Sequence, residues 1–379
     1  MIKVLVLTVT AGEGHNAAAR AITTYFEKHY SQEVEVKMVD MFKPKHRFYA
    51  FVVNEFYFWA IKWFPWIIRT AFKFDAKLKP HKKINASRNA VRLIYKDMVE
   101  LFEAYKPNIV LSTHPFGTAI QSIFIDNNKF KFDGYHIVTD YVLLPNQENA
   151  HNLNGVFSST KDLESDLKKC FIRSEQIIVT GIPVSEKFEN QVADIGYYKQ
   201  LNFDEKIFTI LIMNGGQGAG RALPIIKNLE SINYPIQVIV VNGRNKQNFE
   251  SVEQYLPKAK SNMNIVNYGF VTNIHELMLV SDVYIGKVGG ITTTECIKMG
   301  LPMIIPELPP AQEVFNMNYL LKYNAAIYTG KIKNVAPTVN DLISNPEKLT
   351  KLKNSMQQLN IPNSAANICR IVLENYKAK

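Results

Sequence analysis

Cysteine is scarce in this sequence, and its placement excludes two common kinds of stabilising site. The chain of 379 residues contains three cysteines, Cys170, Cys296 and Cys369, which lie far apart without CxxC or CxxH spacing. A disulfide framework or a structural zinc site needs closely patterned cysteine or histidine residues. The sequence therefore predicts a reducing, cytosolic setting and no structural metal.

An uninterrupted apolar run is missing from the most aromatic stretch, residues 42–83. Glu55, Lys62 and Arg69 recur there at seven-residue intervals and Pro65 breaks the run further, whereas a transmembrane helix needs about 20 consecutive apolar residues. On a helix the three charges form one narrow polar stripe on an otherwise apolar surface. We therefore expect this basic aromatic segment to lie along an interface and not to span a bilayer.

Acidic residues are nearly absent from the same segment. From Lys43 to Lys83, ten Lys and Arg residues stand against two acids, so this stretch carries +8 of the formal net charge of +10. The segment also holds all three tryptophans of the chain, which are Trp59, Trp63 and Trp66. Trp favours the lipid headgroup region, and each basic residue near an anionic surface contributes about 1 kcal/mol. The segment thus predicts membrane attachment through the tryptophans, Lys62 and Arg69; the alternatives are a buried helical hairpin and a surface that stacks single-stranded nucleic acid.

The remaining pattern predicts an α/β protein with two domains. Apolar β-branched runs alternate with helical patterns in both halves, which predicts parallel sheets covered on both faces. The predicted strands are MIKVLVLTV, VEVKMVD, NIVLSTH, YHIVTD and IIVTG, and then IFTILIM, IQVIVVN, MNIVNY, DVYIG and PMIIP. We expect two doubly wound Rossmann-like domains, residues 1–195 and 196–362, with a cleft between them and a closing helix in 363–379.

Glycine-rich loops follow three of these strands. Glycine lets backbone amides approach an anion, and the helix that follows points its positive end at the same place. The loops contain Gly12 and Gly14, then Gly215, Gly216, Gly218 and Gly220, and finally Gly289 and Gly290. We predict that they bind phosphate, and that Thr292 caps the helix after the third loop. Thr292 and Glu295 also have the spacing of a capping box, so Glu295 has an alternative, purely structural role.

The first loop also matches a dinucleotide fingerprint. GEGHNA fits G-x-G-x-x-A, and Asp40 ends the second strand 28 residues after Gly12, as a nicotinamide-binding fold requires. Against a dehydrogenase, His15 stands where the pyrophosphate needs room. The corresponding strand of the second half ends in Asn242, Gly243 and Arg244, without an acid.

His15 is the first candidate for catalysis. An imidazole in a loop at a strand end titrates near neutrality and can take a proton from an attacking hydroxyl. His114, in STHPF at another strand end, is a second candidate, and Asp140, which closes YHIVTD, can orient either imidazole. The alternative for His114 and Asp140 is that they only cap strands and loops.

The ordered set of motifs resembles the monogalactosyldiacylglycerol synthase and processive diacylglycerol glucosyltransferase family, whose members have the GT-B fold. The motifs are TAGEGHNAA, STHPF, IVTD, TGIPV, NGGQGAG, VNGRN, YGFVTNIHELM, GKVGGITTTE and GLPMIIPELPPAQEVFN. The chain departs from the family pattern at Val288, at Ala311 and in TDYVLLPNQEN after the TD motif, where the family has a histidine and aromatic residues.

The resemblance implies a role for each matching residue. It makes His15 the base for the acceptor hydroxyl, while His114 and Asp140 stay the further catalytic candidates and Gly14 is counted among the donor-binding residues. In the second domain it places Gly215, Gly216 and Gly218 near the phosphates; Asn242, Gly243, Arg244, Gly269, Phe270 and Val271 around the uracil; Gly289, Gly290, Ile291 and Thr292 at the diphosphate; Glu295 at the ribose; and Gln312 and Glu313 at the donor sugar.

The resemblance also implies the reaction. It predicts an inverting transfer of a hexose from UDP-glucose or UDP-galactose to a diacylglycerol-type lipid hydroxyl, without metal or cofactor, by a protein attached peripherally to the cytoplasmic face of the membrane. Residues 1–195 then bind the acceptor and the membrane, and 196–362 bind the donor. The alternatives are a UDP-sugar epimerase of the same architecture and a non-catalytic protein that binds a nucleotide sugar or a lipid. No role in nucleic-acid binding is expected.

Overall fold

The structure is a computed structural model, and it describes residues 1–10, 13–42, 86–143, 146–189, 195–213, 215, 216, 218, 220–309 and 313–378. The basic aromatic segment beyond its first residue lies outside these ranges, so the predictions for Trp59, Trp63, Trp66, Lys62 and Arg69 stay predictions. Gly12 and Gln312 also lie outside them. Within the described ranges, no helix combines the length and the apolar character that crossing a membrane requires.

The first sheet forms from short strands, of which β1 and β3 at its centre are largely apolar. Within the described part of the chain it has six parallel strands in the order β2-β1-β3-β4-β5-β6. The strands are β1 (Ile2–Thr8), β2 (Val34–Asp40), β3 (Ile109–Ser112), β4 (Asp133–Ile137), β5 (Gly155–Ser158) and β6 (Ile177–Val179). Parallel neighbours require crossovers over the faces of the sheet, so both faces are covered.

Helices pack on each face of this sheet. They are α1 (Gly14–His29), α2 (Ala86–Val91), α3 (Tyr95–Tyr105), α4 (Pro115–Asp126) and α5 (Glu164–Lys169). Successive side chains of a strand point to opposite faces, so Val4 and Val6 of β1 pack with Ile22 and Phe26 of α1 on one side. Leu5 and Leu7 pack with α3 and α4 on the other side. This double burial explains why β1 has a continuous apolar run and not an alternating one.

The second sheet repeats the plan. Among the described residues it has six parallel strands in the order β12-β11-β10-β7-β8-β9. These are β7 (Thr209–Met213), β8 (Ile236–Val241), β9 (Met263–Tyr268), β10 (Val283–Gly286), β11 (Met303–Ile305) and β12 (Ala326–Tyr328). The helices of this region are α6 (Ile195–Leu201), α7 (Ala222–Leu229), α8 (Lys246–Glu253), α9 (Ile274–Leu279), α10 (Gly290–Lys298), α11 (Glu313–Lys322), α12 (Val335–Ser344) and α13 (Pro346–Gln358).

The last helix, α14 (Ser364–Lys377), returns to the first sheet. Its residues Ile368, Cys369, Val372 and Leu373 are buried in the same core as α1. Two compact units result. The first contains 1–186, 310–312 and 361–379, and the second contains 187–309 and 313–360.

The predicted elements are present, with two strands added. The pattern after the first glycine loop predicts a helix from Asn16 to about Tyr30, and α1 begins two residues before Asn16. β5 and β12 were not predicted, because four and three residues are too few to show a period. β5 pairs with Tyr135, His136 and Ile137 of β4, so its neighbours and not its own composition make it a strand.

Candidate active site

His15 lies in the first turn of α1, directly after the loop that follows β1. A chain of side-chain hydrogen bonds holds this turn. Thr10 donates to the Asp40 carboxylate, Asn16 Nδ2 donates to Thr10 Oγ1 at 2.7 Å, and Thr8 Oγ1 donates to Asn16 Oδ1 at 3.0 Å. Asp40 therefore helps to hold the segment that contains His15. Its carboxylate, the acid of the dinucleotide fingerprint, already accepts a hydrogen bond from Thr10 within the protein.

Two oxygen atoms converge on one nitrogen of the His15 ring. Nδ1 lies 2.6 Å from the carbonyl oxygen of Thr113 and 2.9 Å from Oγ1 of Thr139. A carbonyl oxygen can only accept a hydrogen bond, so Nδ1 donates and carries the proton. The other nitrogen, Nε2, then has a free lone pair in the neutral ring, which is the form that a general base needs.

Burial keeps the His15 ring neutral. It lowers the pKa of His15 from 6.5 to about 4, although the bond to the Thr113 carbonyl acts in the opposite direction. The expectation that His15 titrates near neutrality is therefore wrong, because it did not include burial of the ring. His114 and His136 have lowered pKa values for the same reason, with a further contribution from the charge that His15 would carry. At pH 7 all three imidazoles are uncharged.

His114 packs against His15 with the ring centroids 4.7 Å apart and the ring planes at 76°. Its Nδ1 accepts from the Phe116 amide at 3.2 Å, and Pro115 follows it as the first residue of α4. The helix-capping role that the sequence left open for His114 is therefore present. The contact between the two rings also places His114 beside His15, the predicted base.

Asp140 lines a small enclosed cavity of about 10 Å³ together with His15, His136, Thr139 and Gln147. The sequence predicted that Asp140 orients a histidine. The contacts seen at Nδ1 of His15 are the Thr113 carbonyl and the Thr139 hydroxyl, so an orienting role of Asp140 at His15 or His114 stays a prediction. The structure thus brings His15, His114 and Asp140 together as expected and adds polar neighbours that the sequence did not single out.

In the second unit, two loops at the ends of β7 and β8 fit closely together. Gly218 and Gly243 both have positive φ, and a Cβ atom on Gly218 would lie 2.0 Å from the carbonyl oxygen of Asn242. The amide of Arg244 donates to the Gly216 carbonyl at 3.0 Å. Only glycine permits this approach. These glycines are predicted to bind phosphate. They also allow their loop to pack against the segment Asn242, Gly243 and Arg244, which is predicted to enclose uracil.

Two asparagines reinforce this contact. Asn245 caps α8 and donates from Nδ2 to the Gly218 carbonyl at 2.9 Å. Asn248 donates from Nδ2 to the carbonyls of Gly218 and Gly220 at 2.8 and 2.9 Å. Sequence reasoning missed both, although side-chain amides that follow a glycine loop are the signal that could have found them.

The predicted uracil residues surround the same edge. The guanidinium of Arg244 lies 4.8 Å from the centroid of the Phe270 ring, and 55% of Phe270 is exposed. A Cβ atom added to Gly269 would lie 3.8 Å from the carbonyl oxygen of Gly243. Val271 follows in the loop after β9. An exposed aromatic ring beside a cation offers a flat face to a heterocyclic base.

Helix α10 begins earlier than predicted. Gly289 is its N-cap, with extended backbone, and Gly290 and Ile291 are its first two residues. The prediction that Thr292 caps this helix is therefore wrong, because glycine accepts the N-cap conformation three residues before it. A capping box also needs its acid three residues after the cap, so Glu295 does not form one. The first helical bond runs from the Thr293 amide to the Gly289 carbonyl, so among the described residues the amides of 290–292 have no intrahelical partner at a helix start that favours an anion.

Two carboxyl groups of this unit have raised pKa values. Burial raises the pKa of Glu295 from 4.5 to about 8. Burial also raises the pKa of Glu313, although the charge of Lys287 and a hydrogen bond with the Val288 backbone lower it in part. Its Oε2 has no hydrogen-bond partner among the described residues. Burial thus favours the protonated form of Glu295 near neutrality, and a protonated carboxyl group can donate to a hydroxyl group, which fits the predicted contact with ribose.

Tyr284 links the strand ends of this region. It is fully buried in β10, and its hydroxyl donates to the carbonyl of Met213 at 3.0 Å or of Lys287 at 2.8 Å. Burial raises its pKa, and Cys296, Glu313 and Glu295 raise it further through their charges, so both carboxyl groups lie within electrostatic reach of the Tyr284 hydroxyl. Sequence reasoning missed Tyr284 because a tyrosine inside a strand resembles an ordinary core residue.

Comparison with protein families matches both halves of the chain. The family model of monogalactosyldiacylglycerol (MGDG) synthase matches residues 15–184. The glycosyltransferase family 28 C-terminal domain matches residues 209–367. The first match includes His15, His114 and Asp140, and the second includes all the predicted donor-binding residues from Gly215 to Glu313.

Curated relatives match over nearly the whole chain. The processive diacylglycerol beta-glucosyltransferase of Bacillus pumilus is 25% identical over 377 residues, which cover 98% of this chain and 94% of that protein. The protein of the same name from Staphylococcus epidermidis is 24% identical over 373 residues, covering 98% and 92%.

Solved structures share the fold. The MurG of Acinetobacter baumannii superposes with a TM-score of 0.66 at 15% identity, covering 99% of this chain and all of that one. The UDP-GlcNAc 2-epimerase of Neisseria meningitidis, solved with UDP-GlcNAc, gives 0.63 at 16% identity, covering 98% and 100%. At such identities the likeness concerns the fold alone.

Together the fold and the matches define a class of protein, the glycosyltransferases with two Rossmann-like domains of the GT-B type. The first part of the chain, residues 15–184, matches the monogalactosyldiacylglycerol synthase family model, and residues 209–367 match the C-terminal domain of glycosyltransferase family 28. The family and the fold class predicted from the sequence are confirmed.

Proposed function

We propose that this protein transfers a hexose from a UDP-sugar to a diacylglycerol-type lipid hydroxyl at a membrane surface, with inversion at the anomeric carbon and without a metal. The observation that carries the proposal is the neutral, buried ring of His15, whose Nδ1 is bound by oxygen atoms and whose Nε2 keeps its lone pair. Its place in the part of the chain that matches MGDG synthase supports the same role.

The proposed step is a single displacement. Nε2 of His15 takes the proton of the lipid hydroxyl as its oxygen attacks the anomeric carbon, and the bond from that carbon to the diphosphate breaks. One displacement inverts the configuration, and UDP leaves with the bonding electron pair. The charge that develops on the diphosphate is stabilised by the amides at the start of α10 and by the loop of Gly215, Gly216 and Gly218.

The donor nucleotide is proposed to bind to the second unit. Arg244, Phe270 and Val271 surround the uracil, Glu295 binds the ribose, and Glu313 with Gln312 binds the sugar. The names of the full-length relatives favour glucose as the sugar, whereas the name of the family model favours galactose. We propose glucose, because the relatives cover nearly the whole chain.

The direct test is to incubate the purified protein with vesicles that contain diacylglycerol and with either UDP-glucose or UDP-galactose. We expect UDP release and a glycolipid, detected by mass spectrometry, with UDP-glucose as the better donor. Vesicles without diacylglycerol are the control. UDP release without glycolipid would contradict the proposed acceptor, and conversion of the UDP-sugar into its epimer would favour the epimerase alternative.

A separate prediction concerns membrane attachment on the cytoplasmic face. Replacement of Trp59, Trp63 and Trp66 by Ala is expected to abolish co-sedimentation with anionic vesicles, because the aromatic side chains no longer enter the headgroup region. A matched variant with Lys62 and Arg69 changed to Gln should lose binding only to anionic vesicles, since those charges act through surface potential. Unchanged sedimentation of the tryptophan variant would exclude attachment through this segment.

A further inference from the structure

Thr139 lies two residues after the end of β4 and is buried, with 7% of its surface exposed. The backbone around it is fixed on both sides. The Val138 amide donates to the Phe157 carbonyl at 2.9 Å, and Ser159 Oγ donates to the Asp140 carbonyl at 2.7 Å. The side chain of Thr139 therefore leaves a rigid strand end, and its direction is determined by the sheet.

Thr113 holds His15 in two ways. Its carbonyl accepts from Nδ1 of the ring at 2.6 Å, and its hydroxyl donates to the backbone carbonyl of His15 at 3.1 Å or to Thr8 Oγ1 at 3.1 Å. The first contact assigns the ring proton to Nδ1. The hydroxyl of Thr139 then lies 2.9 Å from the same N–H and accepts from it as a second partner.

We propose that Thr139 is a positioning residue, whose hydroxyl, together with the Thr113 carbonyl, holds His15 in the tautomer that keeps Nε2 free to accept a proton. This inference rests on the proposed function, in which His15 is the base. Nothing in the relatives' names or the family models assigns this role to Thr139.

The electrostatics of the reaction give the contact its effect. When Nε2 takes a proton the ring becomes cationic, and its Nδ1–H becomes a stronger donor to both oxygen atoms. The bond to Thr139 is therefore stronger in the transition state than in the resting enzyme, so it should contribute to kcat and not to donor binding. A valine of the same shape would fill the site without placing a hydroxyl group in a buried position.

The kinetic test compares Thr139→Val with Thr139→Ser. Loss of one hydrogen bond to a developing charge predicts a fall in kcat of about tenfold for Thr139→Val, with the KM for the UDP-sugar unchanged. Thr139→Ser keeps the hydroxyl and should retain most of the activity. The control is Thr350→Val, which removes an exposed hydroxyl that donates to the Pro346 carbonyl. A kcat of Thr139→Val equal to that of the parent would overturn the proposal.

A spectroscopic test needs neither a variant of Thr139 nor activity. Histidine labelled with ¹⁵N in the full chain reports which ring nitrogen carries the proton, and His15→Gln identifies the signals of His15 among the eight histidines. We expect Nδ1 protonated and Nε2 unprotonated at pH 7. A proton on Nε2 would reject the inference even if transfer occurs, whereas absence of transfer with the expected tautomer would reject the proposed function instead.

Discussion

Replacement of His15 by Ala is expected to lower the rate of sugar transfer at least about 100-fold, in line with the contribution of a positioned general base. Among the described residues, His114 beside it cannot act in the same way. Its Nδ1 accepts from the Phe116 amide, so in the neutral ring the proton lies on Nε2, which then cannot accept another. Initial rates of UDP release at pH 7, with diacylglycerol vesicles present, measure the effect.

The same variant should bind UDP with unchanged affinity, because the residues predicted to contact the nucleotide belong to the second unit. Calorimetry with UDP and a thermal unfolding curve separate a chemical defect from a folding defect. His151→Ala is the matched control, since His151 is exposed and its Nδ1 contacts only the carbonyl of Glu148 among the bonds seen there. Near-normal turnover of His15→Ala would remove His15 from the role of base.

The strands were predictable because burial on both faces requires a continuous apolar sequence. β1 and β8 have such runs and were found with little error. The start of α1 was predicted less well, because glycine inside a sequence usually indicates the end of a helix. Gly14 nevertheless lies in the first turn of α1, where the amides have no intrahelical partners in any case. The same reason explains why α10 begins at Gly290 and not at Thr292.

The candidate site was predictable only where a residue type is unusual for its place. His15 is conspicuous because a histidine follows directly after a glycine loop. Thr139 is not, since a threonine at a strand end is common, and its partner lies 124 positions away in the sequence. Its hydrogen bond exists only because parallel pairing brings the ends of β1, β3 and β4 to one edge of the sheet. Contacts of this kind follow from the fold and not from local pattern.

Replacement of Glu295 by Gln is expected to stabilise the protein at pH 8 while weakening its binding of UDP. Glu295 has a pKa of about 8 in the folded protein against 4.5 for the ordinary side chain. Between these values the unfolded chain releases the proton and the native protein keeps it, so stability falls as pH rises. Glutamine does not titrate and avoids this loss.

Measuring both proteins at two pH values separates the gain in stability that comes from titration of Glu295 from any constant effect of the Gln amide group. The difference in unfolding free energy between Glu295→Gln and the parent should grow by about 2 to 3 kcal/mol from pH 5 to pH 8, which is less than the full pKa shift because the side chain is only half-buried. Titration of other groups, among them His15 and Glu313, occurs in both proteins and cancels. Glu347→Gln, at an exposed site in the first turn of α13, should show no such growth.

The affinity of Glu295→Gln for UDP tests whether Glu295, which lowers the stability of the folded protein at pH 8, is present because it binds the nucleotide. If Glu295 binds the ribose hydroxyls, calorimetry at pH 7 should give a Kd about tenfold higher in the variant, because the amide nitrogen of Gln can only donate whereas both carboxyl oxygens can accept from a hydroxyl. A stabilised variant with an unchanged Kd would contradict the ribose contact, because a capping role is already excluded by the start of α10 at Gly290. Stabilisation together with weaker binding would mean that the second unit gives up stability at this position in order to bind its nucleotide.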